Sequence, residues 1–395
     1  VSWPEARPLE DLEAIESLEL SVFVAGPGQG EGIAVAMPGS GWLLVDGCRT
    51  RGAFPLFELH TRYRRHRNDG VELLVLTHPH EDHAAGVARC IAELQPTTLG
   101  LVGVPGRSGL QAARDALTRG LDTRVTSDVL RRSAVRTALE AMERHEHQQP
   151  GSLVNLHDGV VLPLRNSSVR ATVRAPDRRL LEEALTSGSI SRETANAWSA
   201  VIELEFGEAR VVLGSDLPTG CQSGWDKVLS SAPQLGRHHA LKLPHHGSPG
   251  AYHRKLHTGS PERRCWWVTP YNASRLPPLD DLRGLPQLLR REPALLLTAL
   301  PAARRLQRPL AHPGIVRLDQ LEERKLPAHP RVTLLQMAVA IAAPGEPGPL
   351  DAVWAVSFDD SGRITGRWRG QVALELHRAT ATVGRRIRQR HAGRG

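Results

Sequence analysis

The hexapeptide His78-Pro79-His80-Glu81-Asp82-His83 gathers metal-competent side chains between an apolar run, Val71–Thr77, and a stretch of helical spacing, Ala84–Leu94. Imidazole and carboxylate together suit Zn²⁺, Mn²⁺ or Fe²⁺ better than Ca²⁺ or Mg²⁺, which prefer all-oxygen shells. An extended segment turning into a helix can aim residues i and i+2 at one ion and i+4 and i+5 at a neighbour, here His78 with His80 and Asp82 with His83. One loop cannot enclose two ions, so other strand ends must contribute. Asp216 follows the apolar run Val211-Val212-Leu213, where a carboxylate could bridge two ions, and His245 and His246 follow Ala240–Leu243. Each alone has an ordinary explanation, a turn-capping Asp or a surface His pair. Metal-competent groups at the C-terminal ends of three apolar strands point instead to one site.

Two cations about 3.5–4 Å apart lower the pKa of a bound water from 15.7 toward 7 and offset charge developing on a phosphoryl or carbonyl oxygen. Asp82 or Asp216 would orient the hydroxide so formed. No G-x-S-x-G elbow is present, and the chemistry needs no serine or cysteine nucleophile. Cys48, Cys90, Cys221 and Cys265 are widely spread without a CxxC pair, which argues against a disulfide framework and reads as buried free thiols.

The elements that must position these groups alternate. Ser21–Val24 and Gly32–Pro38 read as strands around the bend Gly26–Glu31, which no helix follows, so a turn explains it better than a phosphate loop. Trp42–Val45 is a buried strand ending at Asp46-Gly47, and Leu56–His66 is helical. After the histidine cluster come Leu99–Val104, Leu110–Ala116, Thr123–Val125 and a long charged helix over Val129–His147. Val160–Leu164 and Val169–Arg174 pair as strands, Asp177–Thr186 is helical, and Ser199–Phe206 and Arg210–Leu213 flank the turn Gly207-Glu208. Past about residue 285 prolines break the pattern until a hairpin, Ala352–Phe358 with Arg363–Leu376, turning at Asp360-Ser361-Gly362.

The His78-x-His80-x-Asp82-His83 cluster is the signature of the metallo-β-lactamase superfamily. Further motifs resemble its branch found as the soluble domain of the competence protein ComEC. Gly28-Gln29-Gly30-Glu31 resembles that branch's VGQGD, Leu43–Gly47 its LIDGG, and Asn196-Ala197-Trp198-Ser199 its N-x-x-S. Gly214-Ser215-Asp216 resembles its TGD, and Leu243–Ser248 its KVxHHGS. The match runs in order from about residue 20 to 275. The resemblance implies an α/β fold, an αββα sandwich carrying two divalent ions, Zn²⁺ or Mn²⁺, at one edge between the sheets. His78 and His80 would bind one ion, Asp82, His83 and a histidine of the 245/246 pair the other, with Asp216 bridging. Asp46, Asn196 and Ser199 would support these ligands from behind. His245 is the favoured ligand because it directly follows the strand, which leaves His246 to face the substrate beside Asp82 and Asp216. Two departures stand out. Many relatives have another metal histidine between the first cluster and the Asp, for which His145, His147 and His157 are weak candidates. The branch's N-x-Y-x-H-P stretch corresponds to Thr269–Pro277, which lacks the His.

The formal net charge is +8, and from Arg363 onward nine arginines face one acid, Glu375. Such a tail, above all Arg385, Arg386, Arg388 and Arg390, suits nucleic acid or another polyanion, or is simply a solvated arginine-rich end. The leading expectation is therefore a phosphodiesterase or nuclease acting on nucleic acid or nucleotides. The alternatives are an ester, lactone or thioester hydrolase, whose mark would be an apolar pocket rather than a basic groove, and a metal-stabilised binding protein without turnover. Aromatic residues make up only 4% of the chain, leaving few stacking platforms for single strands. The expected organisation is an N-terminal segment (1–19), a hydrolase domain (20–285), and a C-terminal extension or accessory domain (286–395). No apolar run is long enough to span a bilayer and no signal-peptide pattern opens the chain, which makes a cytoplasmic protein the expectation.

Overall fold

A computed structural model of the chain describes residues 3–28, 30–50, 53–64, 69–105, 109–118, 133–165, 168–191, 194–220, 222–257, 264–278, 284–291, 294–299, 336–338 and 348–377. Its strands are β1 (Arg7–Pro8), β2 (Leu20–Ala25), β3 (Gly32–Ala36), β4 (Trp42–Asp46), β5 (Val71–Leu76), β6 (Thr98–Val102), β7 (Leu153–Leu156), β8 (Val169–Ala175) and β9 (Val201–Phe206). They continue as β10 (Ala209–Leu213), β11 (Ala240–Lys242), β12 (Cys265–Val268), β13 (Ala294–Leu297), β14 (Gln336–Ala338), β15 (Val353–Phe358), β16 (Ile364–Arg369) and β17 (Leu374–His377). They form two sheets, ordered β1-β16-β15-β2-β3-β4-β5-β6-β7 and β14-β17-β13-β12-β11-β10-β9-β8.

The strands read as continuous apolar runs because both faces of each sheet are covered. Alternation sorts the side chains: Trp42 and Leu44 of β4, with Leu74 and Leu76 of β5, pack outward under helices. Leu43, Val45, Leu73 and Val75 point inward and meet Ile202, Leu204, Val211 and Trp267 of the second sheet. Helices α1 (Pro55–Tyr63), α2 (Glu81–Ala84), α3 (Val87–Leu94), α4 (Gly109–Thr118) and α5 (Ala134–Gln148) belong to the first sheet's side. Helix α6 (Arg178–Ser187) anchors a small satellite cluster with Val104 and Ile190. Beyond the second sheet lie α7 (Trp225–Ser231) and α8 (Leu285–Arg291). The result is the αββα sandwich expected. Among the described residues no helix is long and apolar enough to cross a membrane, and Cys48, Cys90 and Cys265 are buried free thiols.

Several local expectations change. Among the described residues past 285, β15 and β16 join the first sheet beside β2, and β13, β14 and β17 extend the second. The strand expected over Arg363–Leu376 breaks at Gly370, where an added Cβ would meet the Leu350 carbonyl at 2.2 Å, so β17 crosses to the other sheet. Val160–Leu164 pairs with β8 through one bridge, Val161 to Thr172, flanked by hydrogen bonds from Leu162 N to the Ala171 carbonyl (2.9 Å) and from Val173 N to the Val160 carbonyl (2.8 Å). The pairing ends where Leu164 N turns back to the Leu162 carbonyl. The expected strand Thr123–Val125 and residues 129–132 of the expected long helix lie outside the described residues. Of the C-terminal arginines, Arg367 is buried, paired with Glu375 at 2.6 Å and set over Trp3, so it faces no polyanion. Arg385, Arg386, Arg388 and Arg390 lie outside the described residues.

Candidate metal centre

Five strand ends meet at one edge of the sandwich. β4 runs parallel to β5, and β10, β11 and β12 run parallel to one another, so their carboxyl ends open on the crevice where α/β sheets place ligands. β4 delivers Asp46, β5 the stretch Thr77–His83, β10 Ser215 and Asp216, β11 the His245-His246 pair, and β12 Thr269 and Tyr271. Turning sharply off these strands requires unusual backbone. Asp46 (φ 58°), Ser215 (φ 44°), His245 (φ 47°) and His246 (φ 54°) are all left-handed, a conformation costing roughly 1–3 kcal/mol each for non-glycine residues. Such cost persists where surrounding contacts over-determine it, and here they do.

Each buried imidazole is fixed at its Nδ1 edge. His83 Nδ1 donates to Asp46 Oδ2 at 2.8 Å, and Asp46 also accepts from Thr77 N (2.7 Å) and Thr77 Oγ1 (2.8 Å). His246 Nδ1 donates to the Thr269 carbonyl at 2.8 Å. His78 Nδ1 lies 3.1 Å from Thr77 Oγ1, which itself accepts from Ser215 Oγ at 2.7 Å. Anchoring Nδ1–H leaves Nε2 as the ligating edge. Those edges converge on Asp216: Oδ1 is 3.4 Å from His83 Nε2 and 3.9 Å from His246 Nε2, while Oδ2 is 3.9 Å from His78 Nε2. Asp82 Oδ2 closes the first group, 3.1 Å from His246 Nε2 and 3.9 Å from His83 Nε2.

Whether these donors fit divalent ions is tested by what they lack. His78 Nε2, His83 Nε2 and Asp216 Oδ1 are buried and make no hydrogen bond. Donors held by one ion at about 2.1 Å in tetrahedral array sit roughly 3.4 Å apart, in the range of the separations above. In two groups the ligand-capable atoms lie within 4.8 Å of one another, His78, His80 and Asp216 in one and Glu31, His83, Asp216 and His246 in the other. In the second, Glu31 meets the histidines at their Nδ1 edges, so the carboxylate on the Nε2 side is that of Asp82. The donor set around Asp216 fits divalent metal binding.

Electrostatics agree. Burial opposes charge on His83, yet Asp216, Asp46 and Asp82 carry its pKa well above the usual value. His246 is likewise raised against burial by Asp216, Asp82 and Glu31. Asp216 and Asp82 are held below the usual carboxylate range despite burial, with His83 the leading cause in each. Without a cation the carboxylates draw protons onto imidazoles, and a divalent ion would displace those protons. His78 moves the other way, pushed well down by burial, then by His83 and His80.

The His245-His246 pair differs from the expectation. His246 is fully buried with Nε2 on Asp82, so it does not line the open cavity at this edge. His245 lies at the mouth with its side chain 32% exposed, Nε2 3.8 Å from Asp216 Oδ2 and 3.3 Å from Asn196 Nδ2. Two successive left-handed residues swing the rings apart. A cavity of about 220 Å³ opens there, walled by His80, Asp82, Asn196, Asp216, His245 and Tyr271, and no Lys or Arg lines it among the described residues. Ser199 is buried with Oγ unpaired, behind Asn196 rather than in the cavity. His145 is buried in α5 and His157 bonds the Asp158 carbonyl through Nδ1; neither joins a metal-capable group among the described residues. In the stretch lacking the branch's His, Tyr271 stacks on His246 at 5.1 Å and Ser274 reaches the cavity.

Glu31 was not singled out from sequence, yet it sits behind the histidines. Its sign was Gly30: at φ +137°, an added Cβ there would meet the Asp82 carbonyl at 2.3 Å, and Glu31 N donates to that same oxygen at 3.0 Å. Only glycine lets the bend lie against the metal loop.

No family model matches the chain, and no curated protein does. Among solved structures, CmlA, a diiron β-hydroxylase from Streptomyces venezuelae, is 14% identical with a TM-score of 0.30 over 58% of this chain and 35% of that one. Rm3 metallo-β-lactamase is 13% identical with a TM-score of 0.33 over 58% of this chain and 78% of its own. The metallo-β-lactamase fold protein YhfI from Bacillus subtilis is 12% identical with a TM-score of 0.29, over 56% and 70% respectively. The chain spans about a third of the length of CmlA. Likenesses this distant decide nothing about chemistry, which rests on the donors themselves.

Proposed function

We propose that the chain is a metal-dependent hydrolase of phosphodiesters. The observation that carries this reading is the two-faced Asp216, whose oxygens each meet a separate set of histidines. His78 and His80 would hold one divalent ion, Asp82, His83 and His246 the other, with Asp216 shared. When bound, the cations would lower the pKa of water toward neutrality and offset charge at both attacking and leaving oxygens of an in-line displacement. Asp46 keeps the His83 ring turned and its Nε2 free. His246 is assigned as ligand and His245 to the substrate side, because burial and the Asp82 contact favour this order. Asn196 and His245 flank the mouth, where both would orient the phosphoryl group and His245 would pass a proton to the leaving oxygen.

A second reading has its own support. A small apolar cavity adjoins the metal loop, with Pro79, Leu101, Leu181, Ile190, Ala195 and Trp198 among its walls. At about 30 Å³ it would take only a short alkyl end of an ester, lactone or thioester. The test is purified protein with Zn²⁺ or Mn²⁺ on a bis-aryl phosphodiester, DNA and a lactone, against the His80→Ala/Asp82→Ala double variant. Phosphodiester turnover that vanishes in the variant supports the first reading, and lactone turnover alone supports the second. Activity surviving in the variant would mean that another site does the chemistry.

A further inference from the structure

Lys242 is an anomaly of the second sheet. It lies on β11, in the middle of an apolar sheet, and is fully buried. Its ammonium donates to the Leu243 carbonyl at 2.8 Å and pairs with Glu31 Oε2 at 2.5 Å. Glu31, 1% exposed, also accepts from Thr269 Oγ1 at 2.6 Å and lies 3.3 Å from His246 Nδ1 through the same oxygen. Its other oxygen, Oε1, makes no hydrogen bond and lies 3.9 Å from His83 Nδ1. Glu31 therefore approaches both imidazoles from their Nδ1 edges, opposite the Nε2 atoms that face Asp82 and Asp216.

We propose that Glu31, held by Lys242, is a positioning residue that sets His246, and through Thr269 the β12 end, for the ion bound by Asp82, His83 and His246. A buried ion pair rarely adds stability over apolar residues of the same volume, so retention of one here calls for a role. Carboxylates behind ligating histidines raise ligand basicity and fix ring orientation, and losing one typically lowers metal affinity about 10–100-fold. His83 has Asp46 for that purpose; the Thr269 carbonyl gives His246 a dipole but no full charge. Glu31 supplies the charge, and Lys242 tethers it through Oε2, the same oxygen that faces His246 and accepts from Thr269. His78, by contrast, is held by the Thr77 and Ser215 hydroxyls.

The inference rests on the two-ion reading, and its readout is metal affinity rather than turnover. Wild type, Glu31→Asp, Glu31→Gln and the double variant Glu31→Gln/Lys242→Met would be dialysed against graded Zn²⁺ or Co²⁺ and their metal content measured. Thermal unfolding in chelator would report the fold. The double variant removes both partners at once, so it should melt near wild type in chelator, whereas Glu31→Gln alone leaves Lys242 unpaired. Expected is a loss of about 10–100-fold in affinity for one equivalent, with the other unchanged, in every Glu31 variant including the charge-conserving Asp. A changed Co²⁺ absorption band should accompany it. Two equivalents bound with wild-type affinity by Glu31→Asp or by the folded double variant would overturn the proposal, as would equal weakening of both equivalents. A wild type that binds two ions but cleaves no phosphodiester would sink the substrate assignment and leave this inference standing.

Discussion

The two halves of the candidate centre are built to different standards. On the Asp82–His83–His246 side every donor is buried or nearly so, and the imidazoles are backed by Asp46, by the Thr269 carbonyl and by Glu31. On the His78–His80 side one histidine leans on hydroxyls, Thr77 and Ser215, the other borders the cavity, and the third nearby ring, His245, is a third exposed. Carboxylate backing strengthens a ligand more than a hydroxyl does. The lesson is division of labour. On the proposed two-ion reading, the deep half would retain its ion and the shallow half would meet substrate and exchange.

Removing what the halves share should do most damage. Asp216→Asn is expected to lower hydrolysis about a thousandfold or more and to weaken both metal equivalents together; metal analysis showing one equivalent untouched would break the comparison. His245→Ala should lower kcat by on the order of a hundredfold while leaving the deep equivalent in place, as fits a group that orients the leaving oxygen. Deep-equivalent loss in that variant would restore His245 as the ligand of that ion. Asp46→Asn should weaken the deep equivalent about 10–100-fold and spare the shallow one, read by the same dialysis.

The smallest expected effect sharpens the contrast from outside the site. His238, buried behind the second sheet, has both ring nitrogens satisfied: Nδ1 donates to the Leu235 carbonyl at 2.8 Å and Nε2 accepts from Trp266 Nε1 at 2.9 Å. Burial, against the help of that carbonyl, pushes its pKa down from 6.5 to about 3. The unfolded chain then takes up a proton before the folded one. Stability from this group is complete above about pH 6.5, declines as pH falls, and levels off below about 3. At about 1.4 kcal/mol per unit, roughly 2 kcal/mol should be gone by pH 5. Denaturant unfolding of His238→Gln should show that slope flattened, with or without metal. A slope unchanged by the substitution would show that His238 is not its source.

Much of this was legible because the chemistry sits where periodicity breaks. The His78–His83 cluster, Asp216 and the His pair all follow apolar strands, so their convergence could be read from order alone. Glu31 could not be read that way. It lies some fifty residues before the cluster, in a bend that the Gly28–Glu31 motif marked without assigning Glu31 a role. Nor could the order of His245 and His246, since it depends on two left-handed backbones that only the folded strand ends impose. Lys242 carried no signal in the sequence, and its burial is explained only by Glu31. The short strands β7 and β12 and the helix α7 carry too few residues for a periodic signal, and the crossing at Gly370 depends on a backbone contact twenty residues away.

The return of β15 between β16 and β2 has a consequence for how the protein comes off the ribosome. By residue 246 every proposed ligand has been synthesised, yet β2 still lacks its neighbour, and Trp354, which bonds the Leu297 carbonyl at 3.0 Å, has not arrived to tie the sheets together. Ion uptake should therefore wait on the last strands. A chain truncated after residue 347 should bind neither equivalent tightly, and one that binds both would show that the centre assembles during synthesis.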